Sequence, residues 1–369
     1  MPAISVLMKP ASGMCNMTCA YCFYCDESSK RDRQSYGFMA EETLKNVIRK
    51  TMPNATGLIS YAYQGGEPSL RGLDFFEKAV YYQNKYNRNG VKVYNAFQTN
   101  GFAMDEAWCR FFKQHHFLVG LSVDGTKSTH DLYRHDKEGN GTYERVINAA
   151  RLMDQHGLDY NILTVVNKNV AAHITEIYQD YKRRGWGYQQ YIACLDPLYE
   201  EHGKNKYSIL PEHYGRFLTE LFELWYQDWK RGKAPYIRQF DNYISIIKGY
   251  IPESCDQRGT CGIQNVIEAD GSVYPCDFYM LDEYCVGNFN TNRFSEIEDN
   301  RTKIGFIEES RKLNPKCRAC RHYKLCKGGC QRHRDRSPDS DYYENYFCEG
   351  YQLFFEQCYG KLTEVVGRT

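Results

Sequence analysis

"SGMCNMTCAYCFYCDE", residues 12–27, places four cysteines within eleven positions, directly after a short apolar run, "ISVLMKP" (4–10). The run reads as a buried strand, and the cysteines then lie in the loop at its C-terminal end. Cys15, Cys19 and Cys22 are spaced C-x3-C-x2-C. A structural zinc site wants four closed ligands, usually from paired knuckles, and no histidine lies nearby. An iron–sulfur cube held by three thiolates leaves one iron open to a substrate or cofactor. Cys25 adds a C-x2-C pair with Cys22, so a redox pair and a fourth ligand both stay open.

Outward from this loop the chain alternates. Strand candidates are 4–9, 57–63, 91–98, 117–123, 160–166 and 188–195, and between them lie amphipathic stretches such as "AEETLKNVIRKT" and "YERVINAARLMDQHG". A last helix, "PEHYGRFLTELFELWYQDWKRG", closes the series. Six βα units fall short of the eight of a standard barrel, so the expected fold is α/β, a partial (β/α)6 TIM-like barrel. The cysteine loop would then open on the C-terminal face, where active sites collect. Past Gly232 the texture turns to short irregular segments, with a hairpin expected at Asp270-Gly271. The expected domains are 1–235 and 236–369, the second too poor in apolar residues to hold itself together without bound metal.

Composition narrows the function. The 47 basic and 46 acidic residues are mixed along the chain, for a net charge of +1. No field strong enough to recruit nucleic acid or an anionic membrane is implied. No signal peptide and no uninterrupted apolar stretch of about 18 residues is present, so a cytoplasmic protein is expected. Sixteen cysteines in a reducing compartment suit metal ligation better than disulfides. Eight of them, Cys255, Cys261, Cys276, Cys317, Cys320, Cys326, Cys330 and Cys348, fall in the C-terminal part and fit two four-thiolate sites. On spacing alone, zinc ribbons are the natural reading of that set.

"CNMTCAYC" resembles the cluster loop of the radical S-adenosylmethionine (SAM) superfamily, with Tyr21 before the last cysteine. The resemblance implies a [4Fe-4S] cluster on Cys15, Cys19 and Cys22 whose open iron chelates SAM, with Cys25 a spectator. "QGGEP" (64–68) resembles the motif whose glycines let the backbone approach the SAM ammonium, which brings in Gly66 and Glu67. "QTNG" (98–101) and "SVDG" (122–125) end the third and fourth strands. Ser122 and Arg134 become candidates for the SAM carboxylate and ribose, and Leu195 for adenine. The C-terminal cysteines resemble the SPASM extension of radical SAM peptide-modifying enzymes. That implies two auxiliary [4Fe-4S] clusters, one on Cys255, Cys261, Cys276 and Cys330, the other on Cys317, Cys320, Cys326 and Cys348. Cys109, Cys194, Cys285 and Cys358 are left as ordinary buried thiols.

Over nearly its whole length the chain resembles most the anaerobic sulfatase-maturating enzymes, on stretches such as "AYQGGEPSLRGLDFFEK", "CLDPLYEE" and "DGSVYPCDFY". These oxidise a Cys or Ser in a sulfatase C/S-x-P-x-R segment to formylglycine, consuming SAM. The implied partners are the sulfatase polypeptide and an electron donor such as flavodoxin or ferredoxin. Asp277, directly after Cys276, is the expected base, because a carboxylate there would sit between the barrel mouth and an auxiliary cluster. Another SPASM peptide-modifying enzyme would share every cysteine and differ at the base and peptide pocket. A non-catalytic zinc or iron–sulfur module would make the βα array and the GGEP motif superfluous.

Overall fold

The computed structural model describes residues 3–337 and 340–368. Its first twelve strands, in chain order, are β1 (Ile4–Met8), β2 (Met17–Cys19), β3 (Leu58–Tyr63), β4 (Lys92–Thr99), β5 (Phe117–Ser122), β6 (Arg134–Asp136), β7 (Tyr160–Val166), β8 (Tyr188–Ala193), β9 (Tyr236–Ile237), β10 (Asn265–Ile267), β11 (Ser272–Tyr274) and β12 (Gly287–Asn288). Two compact units interleave along the chain. One holds residues up to Ser122, then Arg134–Tyr160 and Ile263–Phe306; the other holds Val123–Tyr133, Asn161–Gly262 and the residues from Ile307 onward.

In the first unit β1 lies between β3 and β10 and runs parallel to both, with Val6 opposite Tyr61 on one side and Asn265 on the other. Strands β4 and β5 continue the parallel order. Alternate residues Ile59, Tyr61 and Tyr63 of β3 are fully buried, the period-two pattern of a sheet covered by helices. Helix Glu41–Thr51 buries Leu44, Val47, Ile48 and Thr51, which share one face at helical spacing. Helix Leu73–Tyr86 sends Phe76 against Tyr63 and Phe97 at ring separations of 5.2 and 5.1 Å. Asp105 caps helix Glu106–Gln114 by accepting from the Trp108 amide at 3.0 Å. The expected hairpin is β10–β11, its turn closed by the Gly271 amide donating to the Glu268 carbonyl at 2.9 Å.

The second unit contains parallel β7, β8 and β9. Beyond Gly232, where short irregular segments were expected, it forms two substantial helices, Arg238–Ile247 and Cys348–Arg368. The second buries Phe354, Phe355, Cys358, Leu362 and Val365. Phe354 reaches Phe222 of helix Pro211–Lys230 at 5.9 Å, and Phe355 meets Tyr243 at 5.2 Å. This part therefore shares an aromatic core with helix Pro211–Lys230. The polar and cysteine-rich segments around these helices dilute the average hydropathy and hide the apolar stripe. Cys285 also departs from expectation: it is exposed, whereas Cys109, Cys194 and Cys358 are buried. Among the described residues no helix is long and apolar enough to cross a membrane.

Helices Pro211–Lys230 and Cys348–Arg368 approach most closely at a pair of glycines. A Cβ on Gly350 would stand 2.3 Å from the Pro211 carbonyl oxygen, and one on Gly215 would stand 2.7 Å from the Gly350 Cα. Gly350→Ala should therefore force the helices apart and cost about 1–3 kcal/mol. A lowered thermal midpoint by circular dichroism checks this; an unchanged midpoint would contradict the close crossing.

Candidate cluster and catalytic site

The cysteine loop is held by its neighbours through backbone and side-chain contacts. Strand β2 pairs antiparallel with β6, which sets Cys19 directly opposite Arg134. The pairing brings the Arg134 guanidinium to 3.9 Å from Cys19 Sγ and to 5.5 Å from the Tyr21 ring centre. On the loop's other flank the Glu67 amide donates to the Met14 carbonyl at 2.8 Å. Gly66 takes φ +52°, and a Cβ there would lie 2.1 Å from that same Met14 oxygen. Only glycine permits so close an approach. Cys15 Sγ accepts from the Met17 amide and from Asn100 Nδ2, both at 3.4 Å.

The Glu67 carboxylate is fully buried and wholly engaged within the protein. One oxygen accepts from the Ser69 amide and the Thr99 hydroxyl, both at 3.0 Å, and the other from the Asn100 amide at 2.8 Å. Its side chain thus ties the segment after β3 to the end of β4. Ser122 ends β5 and is half-buried, Tyr21 is buried, and Leu195 is buried in the second unit.

These donors and thiols suit an iron–sulfur cube. Three sulfurs come from one loop, and N–H groups of Met17, Asn100 and Arg134 point at two of them, which favours an anionic thiolate–cluster assembly. Burial, foremost, pushes the Cys15 thiol up to about 11, so ligation must displace its proton. Among the described residues no three His, Cys, Asp or Glu converge as tightly as the ligands of a single ion. Thiols set around a cube stand farther apart than that. Cys25, read as a spectator, has its thiol hydrogen-bonded to Cys22, a contact that pulls Cys22 down and pushes Cys25 up.

Asp277 lies in the same unit, in the loop after β11. Its Oδ2 accepts from the Tyr24 hydroxyl at 2.7 Å and from Gln64 Nε2 at 2.5 Å. Lys9, one residue past β1, places Nζ 3.1 Å from Oδ1 and 3.9 Å from the centre of the Tyr24 ring. Burial, followed by the nearby Asp277 charge, drives the Tyr24 hydroxyl well upward, so it stays a phenol and a donor. Sequence reading assigned no part to Lys9, Tyr24, Gln64 or Asn100. Three of these lie inside motifs already singled out, and the fourth is a cation ending an apolar strand.

Seven of the C-terminal thiols gather as two sets in the second unit. Cys317, Cys320, Cys326 and Cys348 line one cavity of about 440 Å³. Burial pushes Cys326 up to about 12, with Cys348, Cys317 and Cys320 adding to it. Cys330 is pushed up by burial first and then by Cys255, with Cys261 adding further. Cys276 belongs to the first unit.

Comparison with known proteins converges on one family. Residues 10–205 match the Radical SAM superfamily, and 259–321 match the SPASM iron–sulfur cluster-binding domain. The cysteine-type anaerobic sulfatase-maturating enzyme of Clostridium perfringens (strain 13 / Type A) is 45% identical, with 99% of both chains covered. The chain belongs to the anaerobic sulfatase-maturating enzymes. The serine-type maturating enzyme of Klebsiella aerogenes is 31% identical over 95% of this chain and 84% of its own. A solved structure of native anSMEcpe with bound AdoMet and Cp18Cys peptide superposes with a TM-score of 0.94 at 42% identity, covering 100% of this chain and 99% of that one. As a member of this maturase family the chain is a radical SAM oxidoreductase with a SPASM C-terminal domain, and its expected radical SAM fold is confirmed.

In this maturase the loop that follows Leu195 is organised by one buried carboxylate. Asp196 accepts from the Gly203 amide at 2.9 Å, from Asn205 at 3.4 Å and from the Ser208 hydroxyl, while its carbonyl accepts from Arg332 at 2.5 Å. Burial would raise its carboxyl, but the His202, Ser208, Gly203 and Asn205 bonds outweigh burial and hold it at about 2. His202 stands 3.6 Å from Asp196 and 3.2 Å from Asp335. Hydrogen bonds to those two carboxylates, against opposing burial, raise it to about 9. A histidine raised on folding stabilises fully below its unfolded value near 6.5 and loses that contribution as pH climbs through about 9. The thermal midpoint should therefore fall between those pH values, and His202→Gln should flatten the fall. A wild-type slope that persists in the variant would remove His202 from this role.

Proposed function

We propose that the enzyme oxidises a cysteine in a sulfatase C/S-x-P-x-R segment to a thioaldehyde, which water hydrolyses to formylglycine with release of sulfide, consuming SAM to give 5′-deoxyadenosine and methionine. The observation that carries this is the buried Asp277 carboxylate, collected by Lys9, Tyr24 and Gln64 in the same compact unit as the three-thiol loop. When bound, three [4Fe-4S] clusters and SAM supply a 5′-deoxyadenosyl radical and a destination for the second electron. Cys15, Cys19 and Cys22 hold the SAM cluster. Cys255, Cys261 and Cys330 are ligands of one auxiliary cluster, and Cys317, Cys320, Cys326 and Cys348 hold the other. Tyr21, Ser122, Arg134 and the backbone at Gly66 and Glu67, all in the first unit, receive SAM.

Asp277 acts as the base. It takes the proton of the substrate thiol, which makes the sulfur electron-rich and the β-carbon easier to oxidise. Tyr24 and Gln64 orient it by occupying Oδ2. The higher identity to cysteine-type relatives, 45% against 31%, supports cysteine as the target. The substrate is an extended peptide segment, and a flavodoxin or ferredoxin supplies the reducing electron. Oxygen-sensitive clusters suit an anaerobic cytoplasm. A boundary near residue 235 between barrel and SPASM-type domain is supported by family matches ending at 205 and starting at 259.

Anaerobic, reconstituted and reduced protein given SAM and a C-x-P-x-R peptide should yield aldehyde and 5′-deoxyadenosine in step, read by mass spectrometry. Deoxyadenosine without aldehyde would point to a cross-linking maturase instead. Asp277→Asn should lower aldehyde formation by about 10²–10⁴-fold while SAM cleavage persists; undiminished aldehyde would remove Asp277 from the chemistry. Cys15→Ala should lower iron from about 12 to about 8 per chain, and unchanged iron would contradict the ligand assignment.

A further inference from the structure

The reading of Asp277 as the base leaves open which oxygen receives the proton and what holds the carboxylate still. A carboxylate oxygen accepts about two hydrogen bonds. Oδ2 already has two, from Tyr24 and Gln64. Oδ1 is buried and, among the described residues, accepts no hydrogen bond; Lys9 Nζ lies 3.1 Å away as its ion-pair partner. The accepting capacity of Asp277 is therefore concentrated on the oxygen beside Lys9.

Lys9 is placed to hold that oxygen. Its side chain is only 4% exposed, its ammonium rests 3.9 Å from the Tyr24 ring centre, and its stem packs where a Cβ on Gly65 would stand 2.6 Å from Cδ. A buried ammonium is costly unless paired. Its charge partner here is Asp277, and Tyr24 contacts both. From this geometry, and resting on Asp277 as base, we infer that Lys9 is the positioning residue that presents Asp277 Oδ1 as the proton acceptor. During the step the substrate S–H bond breaks and an O–H bond forms on Oδ1, while Lys9 keeps its own proton. The charge of the Lys9–Asp277 pair thus rises by one as that of the substrate falls by one.

The test is an anaerobic single turnover with cluster-loaded protein, SAM and the C-x-P-x-R peptide, measuring aldehyde and 5′-deoxyadenosine separately. Lys9→Met should keep SAM cleavage while aldehyde per deoxyadenosine falls roughly tenfold or more, and Lys9→Arg should restore part of that ratio. Lys9→Gln keeps a donor without charge and should fall like Lys9→Met, which covers the case in which the methionine variant does not fold. If both products fall together and the ratio holds, Lys9 serves structure alone and the inference is overturned. Asp277→Asn separates the two ideas: a ratio held in that variant sinks the base itself, whereas a ratio held only in the Lys9 variants sinks Lys9 alone.

Discussion

The cluster site depends on one contact between two loops, the Glu67 amide on the Met14 carbonyl, made possible because Gly66 has no side chain to keep the backbones apart. From that point order spreads in both directions. The Glu67 carboxylate locks the segment after β3 to the end of β4, and Asn100, fixed by the lock, reaches Cys15. On the far side, β2–β6 pairing carries Arg134 to Cys19 and Tyr21. The three-thiol segment has only the short strand β2 as regular structure, and these bonds supply the rest of its order. The two oxygens of the buried Glu67 meet three donors, which reduces the penalty of burying a carboxylate, although burial still pushes its carboxyl upward.

The same unit solves a second electrostatic problem at Asp277. A buried carboxylate is costly unless it is paired and hydrogen-bonded. Lys9 supplies the charge, Tyr24 and Gln64 supply donors, and burial of Tyr24 keeps its proton in place to donate. Buried ion pairs contribute little to stability on balance. What this one contributes is orientation, since each partner is fixed by contacts on more than one side.

The second unit gathers thiols in a different way. Cys348 begins a helix whose aromatic face packs on helix Pro211–Lys230, and Cys317, Cys320 and Cys326 lie in short turns that meet it around one cavity. The helices position part of the ligand set in advance, and metal binding would add the remaining order. Folding here is shared between an apolar core and ligation, whereas composition had suggested ligation alone.

The strand and helix order, the hairpin and the two families of cysteines were legible in the residues, because period-two and period-3.6 patterns and short Cys spacings are local properties of the chain. The helix Cys348–Arg368 was harder to see, its apolar stripe being interrupted by polar residues and preceded by cysteine-rich turns. Arg134, Lys9 and Gln64 show what the sequence could not decide. Arg134 lies 115 residues from Cys19, Gln64 lies 213 from Asp277, and Lys9 is farther still from it. Such partners meet only once parallel register and hairpin pairing bring their segments side by side. Ligand chemistry was written locally in the chain; the charge and hydrogen bonds that make it a working site come from contacts that exist only in the folded molecule.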